Sequence, residues 1–422
     1  VPDQLAQNPE EKTLHRAVTC PFCGLLCDKL TVEASRGGLR ATDNACPKAQ
    51  RAYARALPPA TPAVNGKPVE LDNALAAAAR LLRGSRQPLI GGLGTDVDGT
   101  RAALALAERC GGIVDHLHGR ALARGVRVLQ TRGYATTTLA EVRNRADLVV
   151  LCGVDINDDF HNFASTCLRP ADALVPERLA ARRLFHLGPA KQAPRHPGLG
   201  VEQLACGADE LLETVNALRA LRGGRQVRLK GKRLQGLTGL VGAIAASEYA
   251  VFVWAPGQLG DDGDLLISAV CDLVNDINRD KRAAGLALGG NDGGQSALAT
   301  CAWQTGYPLH VSYAGTVLDY DPLRHDTARL LASGEVDALL WVSTFRPVAP
   351  PDSALPLIVI GTPGTPVRAT NSVFLPAGTP GLDHRGQLIR TDAVVALPLP
   401  QLRDSALPAA ATLLHELLTR LG

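Results

Sequence analysis

Methionine is missing from this 422-residue chain, and aromatic residues make up only 4% of it. Any core must therefore be built mainly from Leu, Val, Ile and Ala. The lack of methionine itself has no physical explanation in the sequence. No apolar run approaches the ~18 residues that a membrane-spanning helix needs. The polar opening Val1-Pro2-Asp3-Gln4 has no hydrophobic stretch of the kind a secretion signal carries. Charge of one sign is also scarce: the formal net charge is +3, too mild to argue for nucleic acid. These absences predict a cytoplasmic protein with neither a nucleic-acid nor a membrane partner. Thiols stay reduced in that compartment, so clustered cysteines point to metal rather than to disulfides.

What is present is ordinary globular composition, with 46% hydrophobic and 20% charged residues. The length predicts two or three domains at roughly 150 residues each. Residues 1–17 read as a polar arm, and residues 18–57 as a four-cysteine module with a strand over Lys29 to Glu33 and a basic helix. Pro58 to Pro68 reads as a linker. Helical periodicity over Leu71 to Arg83 and Thr100 to Cys110 alternates with short buried runs at Pro88 to Ile90 and Asp147 to Cys152. The alternation continues through Leu184 to Leu187, Val251 to Trp254, Leu265 to Asn278, Leu339 to Val342 and Leu357 to Ile360. It predicts an α/β fold with parallel sheets over 58–366, as two intertwined domains. Residues 367–422 read as a β-rich segment ending in a helix over Ala409 to Leu421.

The chemistry-bearing feature is Cys20-Pro21-Phe22-Cys23-Gly24-Leu25-Leu26-Cys27, followed by Asn44-Ala45-Cys46-Pro47-Lys48. Three cysteines within one tight loop can converge on a centre, and Gly24 permits the wrapping. Cys46, returning after a hairpin, makes a fourth donor. Four thiolates at Cys20, Cys23, Cys27 and Cys46 suit an iron–sulfur cluster or tetrahedral zinc. Four buried, unligated thiols are the alternative. Cys110, Cys152, Cys167, Cys206, Cys271 and Cys301 are scattered and form no second set. A stand-alone electron carrier, which needs a second centre, is thereby disfavoured.

This cysteine pattern at the head of an α/β chain resembles the molybdopterin and tungstopterin oxidoreductases. More closely, the chain resembles the B-type subunit of formylmethanofuran dehydrogenase and its counterpart in the bacterial formyltransferase/hydrolase complex. Gly133-Tyr134-Ala135-Thr136-Thr137-Thr138-Leu139, Asn144-Arg145-Ala146-Asp147, Trp303-Gln304-Thr305-Gly306-Tyr307-Pro308, Gly381-Leu382-Asp383-His384-Arg385-Gly386 and Arg390-Thr391-Asp392 carry the likeness in order along the chain. The resemblance implies a multi-domain molybdopterin-oxidoreductase-like scaffold.

Three stretches depart from the redox-active relatives. Where the resemblance places a metal-binding cysteine before His-Gly, this chain has Asp115-His116-Leu117-His118-Gly119. Leu117 has no lone pair to offer a metal. An arginine is missing from Leu288-Gly289-Gly290-Asn291-Asp292. Phe185-His186-Leu187-Gly188-Pro189 lacks the Asp and Thr expected near the pterin. A pterin-bound metal needs a soft ligand and phosphate donors. The resemblance with these losses implies no molybdopterin or tungstopterin, no catalytic residue and no cofactor-binding residue beyond the four cysteines. The implied role is a structural subunit of a formyltransferase/hydrolase complex in methylotrophic one-carbon metabolism. Its implied partners are a metal-dependent hydrolase subunit, a formyltransferase subunit and a C-type subunit. The alternative is an active molybdenum or tungsten B-type subunit of formylmethanofuran dehydrogenase.

Other candidates have plainer readings. His116 and His118 fit polar residues left in a vacated cofactor cavity. Asp158, Asp159 and His161 fit a helix cap after Gly153. Asp261, Asp262 and Asp264 fit a solvated turn, because the later ligands of a calcium loop are absent. Gly91 to Gly94 and Gly289 to Gly294 are glycine turns too weakly patterned for a dinucleotide fingerprint. Arg222, Arg225, Arg228, Lys230, Lys232 and Arg233 form a basic run suited to a surface or subunit interface. The other use for that run is contact with the polyglutamate tail of the furan carrier that the resemblance implies.

Overall fold

The computed structural model describes residues 12–229 and 231–422. The expected arm over residues 1–11, and Lys230 of the basic run, lie outside the described residues. The chain divides into two units interleaved in sequence. The first runs to Leu117 and resumes over Asn291–Ile389 and Ala396–Gly422, while the second comprises His118–Gly290 and Arg390–Val395.

The first unit is built on a nine-stranded sheet. Five central strands, Ile113–Val114, Pro88–Gly94, Ala338–Ser343, Leu357–Gly361 and Ser372–Pro376, run parallel. Antiparallel strands close both edges. The parallel strands are buried along nearly their whole length, which is why they read as apolar runs rather than alternating ones. Helices Leu71–Gly84 and Val97–Cys110 pack against the C-terminal helix Ala410–Leu421.

Three boundaries differ from expectation. Thr13–Val18 is a strand paired with Leu30–Ser35, so residues 13–17 are not an arm. The Pro58 to Pro68 linker contains a two-stranded edge hairpin, Ala63–Val64 with Lys67–Pro68. Asn65 and Gly66 turn it at φ 50° and 71°, the left-handed pair that a tight hairpin demands. Residues 367–422 are no separate segment, because Ser372–Pro376 lies inside the nine-stranded sheet.

The cysteine module shares a core with the C-terminal part of the same unit. Val18, Phe22, Leu30, Val32, Leu39, Ala49 and Tyr53 bury with Leu382 and Leu402. So few residues cannot exclude water alone, and the later segment completes the core.

The second unit holds a five-stranded parallel sheet in the order Glu202–Ala205, Arg183–Gly188, Leu148–Cys152, Tyr249–Trp254, Arg282–Ala287. Its chain order reverses between Leu148–Cys152 and Tyr249–Trp254. That reversal is the switch point where doubly wound sheets open a ligand crevice.

Candidate functional site

The cysteine loop is closed by its backbone. The Cys20 N–H donates to the Cys27 carbonyl at 2.9 Å, and the Leu26 N–H to the Cys23 carbonyl at 3.1 Å. Leu26 takes a left-handed φ of 45° to make the turn. Cys46 caps the helix Pro47–Tyr53, its sulfur accepting the Ala49 N–H at 3.4 Å. Phe22 meets Tyr53 edge-on, with ring centroids 5.2 Å apart.

Cys20 lies near enough to Cys23, Cys27 and Cys46 for their charges to act on it. Burial pushes the Cys20 thiol well above its ordinary range, and the charges of Cys23, Cys27 and Cys46 push it further. Tyr53 is pushed up in the same way by burial, then by Cys20 and Cys27. Its hydroxyl is buried with no hydrogen-bond partner among the described residues. Among those residues, no three His, Cys, Asp or Glu side chains stand close enough to hold a single metal ion. Tetrahedral zinc, with Zn–S near 2.3 Å, would bring its thiolates within about 4 Å of one another. A cluster spreads its thiolates over separate irons, and Cys20, Cys23, Cys27 and Cys46 are the donors it would require.

A second feature lies at the ends of the first unit's parallel strands. The Gly24 N–H, in the cysteine loop, donates to Asn291 Oδ1 at 3.2 Å. The next residue, Asp292, is buried and holds Arg346 through two oxygens, Nε–Oδ1 and a terminal nitrogen to Oδ2 both at 2.8 Å. The Asp292 carbonyl lies 3.1 Å from His116 Nε2. Asp115, 1% exposed, accepts the His116 N–H at 2.7 Å and the Thr327 N–H and hydroxyl at 2.9 and 2.6 Å. His310 Nε2 stands 3.1 Å from the other side of that carboxylate.

Leu117 follows directly. Its N–H donates to the Gly92 carbonyl at 2.9 Å. Its side chain packs with Leu89, Ile113, Leu330, Leu339 and Trp341. Hydrocarbon occupies the position where the resemblance places a thiolate.

The remaining candidates resolve individually. His116 is a buried structural residue, and His118 precedes the helix Gly119–Arg132. Asp158, Asp159 and His161 lie in the bend just before the helical turn that runs from Asn162 into Ala164–Leu168. Asp262 opens the helix Gly263–Ile277 on an exposed turn. Gly91 to Gly94 are not a turn but the end of a buried strand. A Cβ at Gly92 would come 2.5 Å from the Val342 carbonyl, so glycine there permits a close strand approach. Part of the basic run is committed internally, Arg222 to Asp280 and Asp276, and Arg233 to Glu210 and Thr214. Arg225, Arg228 and Lys232 are exposed.

Sequence reasoning missed the roles of Asp292, Arg346, His310 and Thr327. Polar residues directly after a buried strand, as in Ser343-Thr344-Phe345-Arg346, are the signal that marks them. The missing arginine at 288–292 is also only half the picture. Arg346 supplies a guanidinium to that turn, and Asp292 neutralises it.

The second unit's switch-point crevice is filled by its own side chains. Gln258 accepts the Asp155 N–H at 2.7 Å and donates to the Asp155 carbonyl at 2.9 Å. A Cβ at Gly153 would lie 2.3 Å from Leu211. The cavity left between Gly153, Pro189, Leu211 and Gln258 is about 40 Å³, against the roughly 300–1,000 Å³ of a working ligand pocket.

Fold and site together define an α/β chain of parallel-sheet units with a cysteine-bearing N-terminal module and with Leu117, not a cysteine, just after the strand Ile113–Val114. No protein-family profile matches the chain. It is 31% identical over 333 residues to the B-type subunit of the formyltransferase/hydrolase complex of Methylorubrum extorquens, covering 77% of this chain and 87% of that one. The chain belongs to the family of that B-type subunit. The crystal structure of the formyltransferase/hydrolase complex from the same organism, in complex with methylofuran, contains a chain that superposes with a TM-score of 0.75 at 28% identity, covering 86% of this chain and 98% of that one. The B-type subunit of a tungsten-containing formylmethanofuran dehydrogenase 2 from Methanocaldococcus jannaschii is 25% identical over 90% of this chain and 92% of its own length. Among the described residues no helix is long and apolar enough to cross a membrane.

Proposed function

We propose that the chain is a non-catalytic structural subunit of a formyltransferase/hydrolase complex, built on the scaffold of the pterin-dependent dehydrogenases. In such a complex the formyl group passes from formyl-tetrahydromethanopterin to a furan carrier and is released as formate. Transfer and hydrolysis exchange no electrons, so a redox subunit can lose its metal without stopping the flux. Its partners are the hydrolase, formyltransferase and C-type subunits.

The observation that carries this reading is Leu117. Its side chain belongs to an apolar cluster at the position of the relatives' metal ligand. The salt bridge between Asp292 and Arg346 and the plugged crevice at Gln258 support it. A pterin-bound metal does not fit these residues.

Cys20, Cys23, Cys27 and Cys46 would hold a [4Fe–4S] cluster. When bound, the cluster supplies one-electron chemistry. Ligation by these four cysteines, near Tyr53, would tie the loop to the module. Exposed Arg225, Arg228 and Lys232 are the cations left for a polyglutamate tail on the carrier.

The test is elemental analysis and assay of the purified complex. Formyl transfer and hydrolysis with molybdenum and tungsten at background is the expected result. Iron should stand at roughly 4 per chain and fall in Cys46→Ser. One molybdenum or tungsten per chain, with viologen-linked activity, would establish the dehydrogenase instead.

A further inference from the structure

The exposed apolar side chains are not evenly spread. Among the described residues ten large ones are exposed, and Trp303 (67%), Tyr307 (39%), Val317 (77%) and Leu323 (59%) all fall within Trp303–Leu323. The other six are scattered, as single exposed apolar residues normally are. Clustered exposure of this kind marks interaction surfaces.

The segment is also stiff. Gly306, at φ 82°, stops the helix Gly294–Thr305, and the Thr305 hydroxyl accepts the Tyr307 N–H at 3.0 Å. Tyr307 stacks on Tyr320 with centroids 5.1 Å apart and planes 9° from parallel. Val311–Ser312 pairs with Asp319–Tyr320 on one side and with Ile113–Val114 on the other. Leu309 and His310 both take left-handed φ values, 62° and 50°. Two such residues in a row are strained, and the His310 ring is buried beside Asp115, its Nε2 3.1 Å from Oδ1. The stacked Tyr307 is preordered and loses little entropy on binding, and exposed aromatic residues such as Trp303 and Tyr307 are the usual hot spots of an interface.

Charge around the face selects the partner. Asp98 pairs with Arg101 and Asp319 with Arg324, which leaves Glu108 at the cavity and Asp321 in the segment as an acidic excess on a chain of net charge +3. Beside the face lies a cavity of about 950 Å³, lined by Asp98, Arg101, Glu108, Gln304, Thr316 and His415. It is wide enough for long cationic side chains to reach Asp98 and Glu108.

We infer that Trp303–Leu323 and the adjoining acidic cavity are a docking face for another subunit of the same assembly, one that presents an apolar socket rimmed by lysine or arginine. This rests on the structural-subunit reading above. Burying Trp303 and Val317 supplies affinity, and the acidic rim supplies rate and orientation.

The experiment is co-purification of the tagged chain with its co-expressed partner subunits, for wild type, Trp303→Asp with Val317→Asp, Glu108→Lys, and Leu174→Asp. Leu174, 82% exposed and in the second unit, is the control. Circular dichroism and a thermal melt confirm that each variant is folded. The double variant should lose partner recovery at least tenfold. Glu108→Lys should slow association several-fold and flatten its salt dependence, and Leu174→Asp should match wild type. Undiminished recovery of partners by the folded double variant overturns the docking face and leaves the subunit reading intact. A wild-type chain that recovers no partner removes the subunit reading and this inference together. Self-association of the isolated chain, abolished by Trp303→Asp while the assembly survives, makes a second copy the occupant and refutes the inference. An unchanged rate in Glu108→Lys refutes the basic rim.

Discussion

Asp115 offers the sharpest test of how the strand-end network is held. Its carboxylate is 1% exposed and is the acceptor for three protein donors: the His116 N–H, the Thr327 N–H and the Thr327 hydroxyl. Alanine at this position strands all three and leaves His310 without the charge it faces. A buried donor without an acceptor costs about 1–3 kcal/mol. Three of them, partly rehydrated by water entering the space, give about 3–5 kcal/mol. Asparagine keeps the shape and one acceptor oxygen and should cost about 2 kcal/mol. Two units need not unfold together, so a single global midpoint is the wrong observable. Hydrogen exchange resolved by residue is the right one. The His116 and Thr327 amides should lose protection in the order wild type, Asp115→Asn, Asp115→Ala. The second unit's Leu148–Cys152 strand should be unaffected. If Asp115→Ala leaves both amides within about 0.5 kcal/mol of wild type, the carboxylate is not what joins these segments.

Leu117→Cys returns a thiol to the relatives' ligand position and should lose about 1 kcal/mol of packing. Metal analysis of that variant should still find molybdenum and tungsten at background, because Asp292 holds Arg346 and Gln258 fills the crevice; a stoichiometric metal would show that Leu117 alone was the obstacle. The hydrogen bond from Arg219 holds the Asp276 carboxyl below its ordinary value near 3.8, although partial burial opposes it. A depressed carboxyl stabilises fully above its unfolded value, and that stability is lost as pH falls through the folded one. Acid unfolding of the second unit should therefore steepen below about pH 4 in wild type, and Arg219→Gln should flatten it. Burial pushes the Cys152 and Cys271 thiols up to about 12 and the Cys167 thiol up to about 11. Mass spectrometry after iodoacetamide near pH 8 should find these three unmodified in the native chain and alkylated after unfolding, and native labelling would contradict their packing.

Much of the α/β architecture is legible in the sequence because buried parallel strands need continuous apolar runs. Asp147 to Cys152, bounded by Gly153, reads as a strand for that reason, and Leu148–Cys152 forms one. Helix Val97–Cys110 is equally plain, being amphipathic and stopped by Gly111 in a left-handed cap. Helices Gly119–Arg132 and Gly231–Ala246 are harder to see, their pattern broken by glycines and by basic residues. The Asn65-Gly66 hairpin carries a clear turn signal that proline neighbours mask.

By itself, the sequence determined where thiolates are available and where one is lacking. Cys20, Cys23, Cys27 and Cys46 are chemical facts before any folding, and so is the inert side chain of Leu117. Tertiary structure alone decided what surrounds them. Asp292 meets Arg346 across 54 positions and Asp115 meets Thr327 across 212. Leu382 and Leu402 complete the cysteine module's core from the far end of the chain. Such pairings depend on strands brought together by the sheet. No local pattern of charge or hydrophobicity encodes them, because the partners share neither a helix face nor a strand.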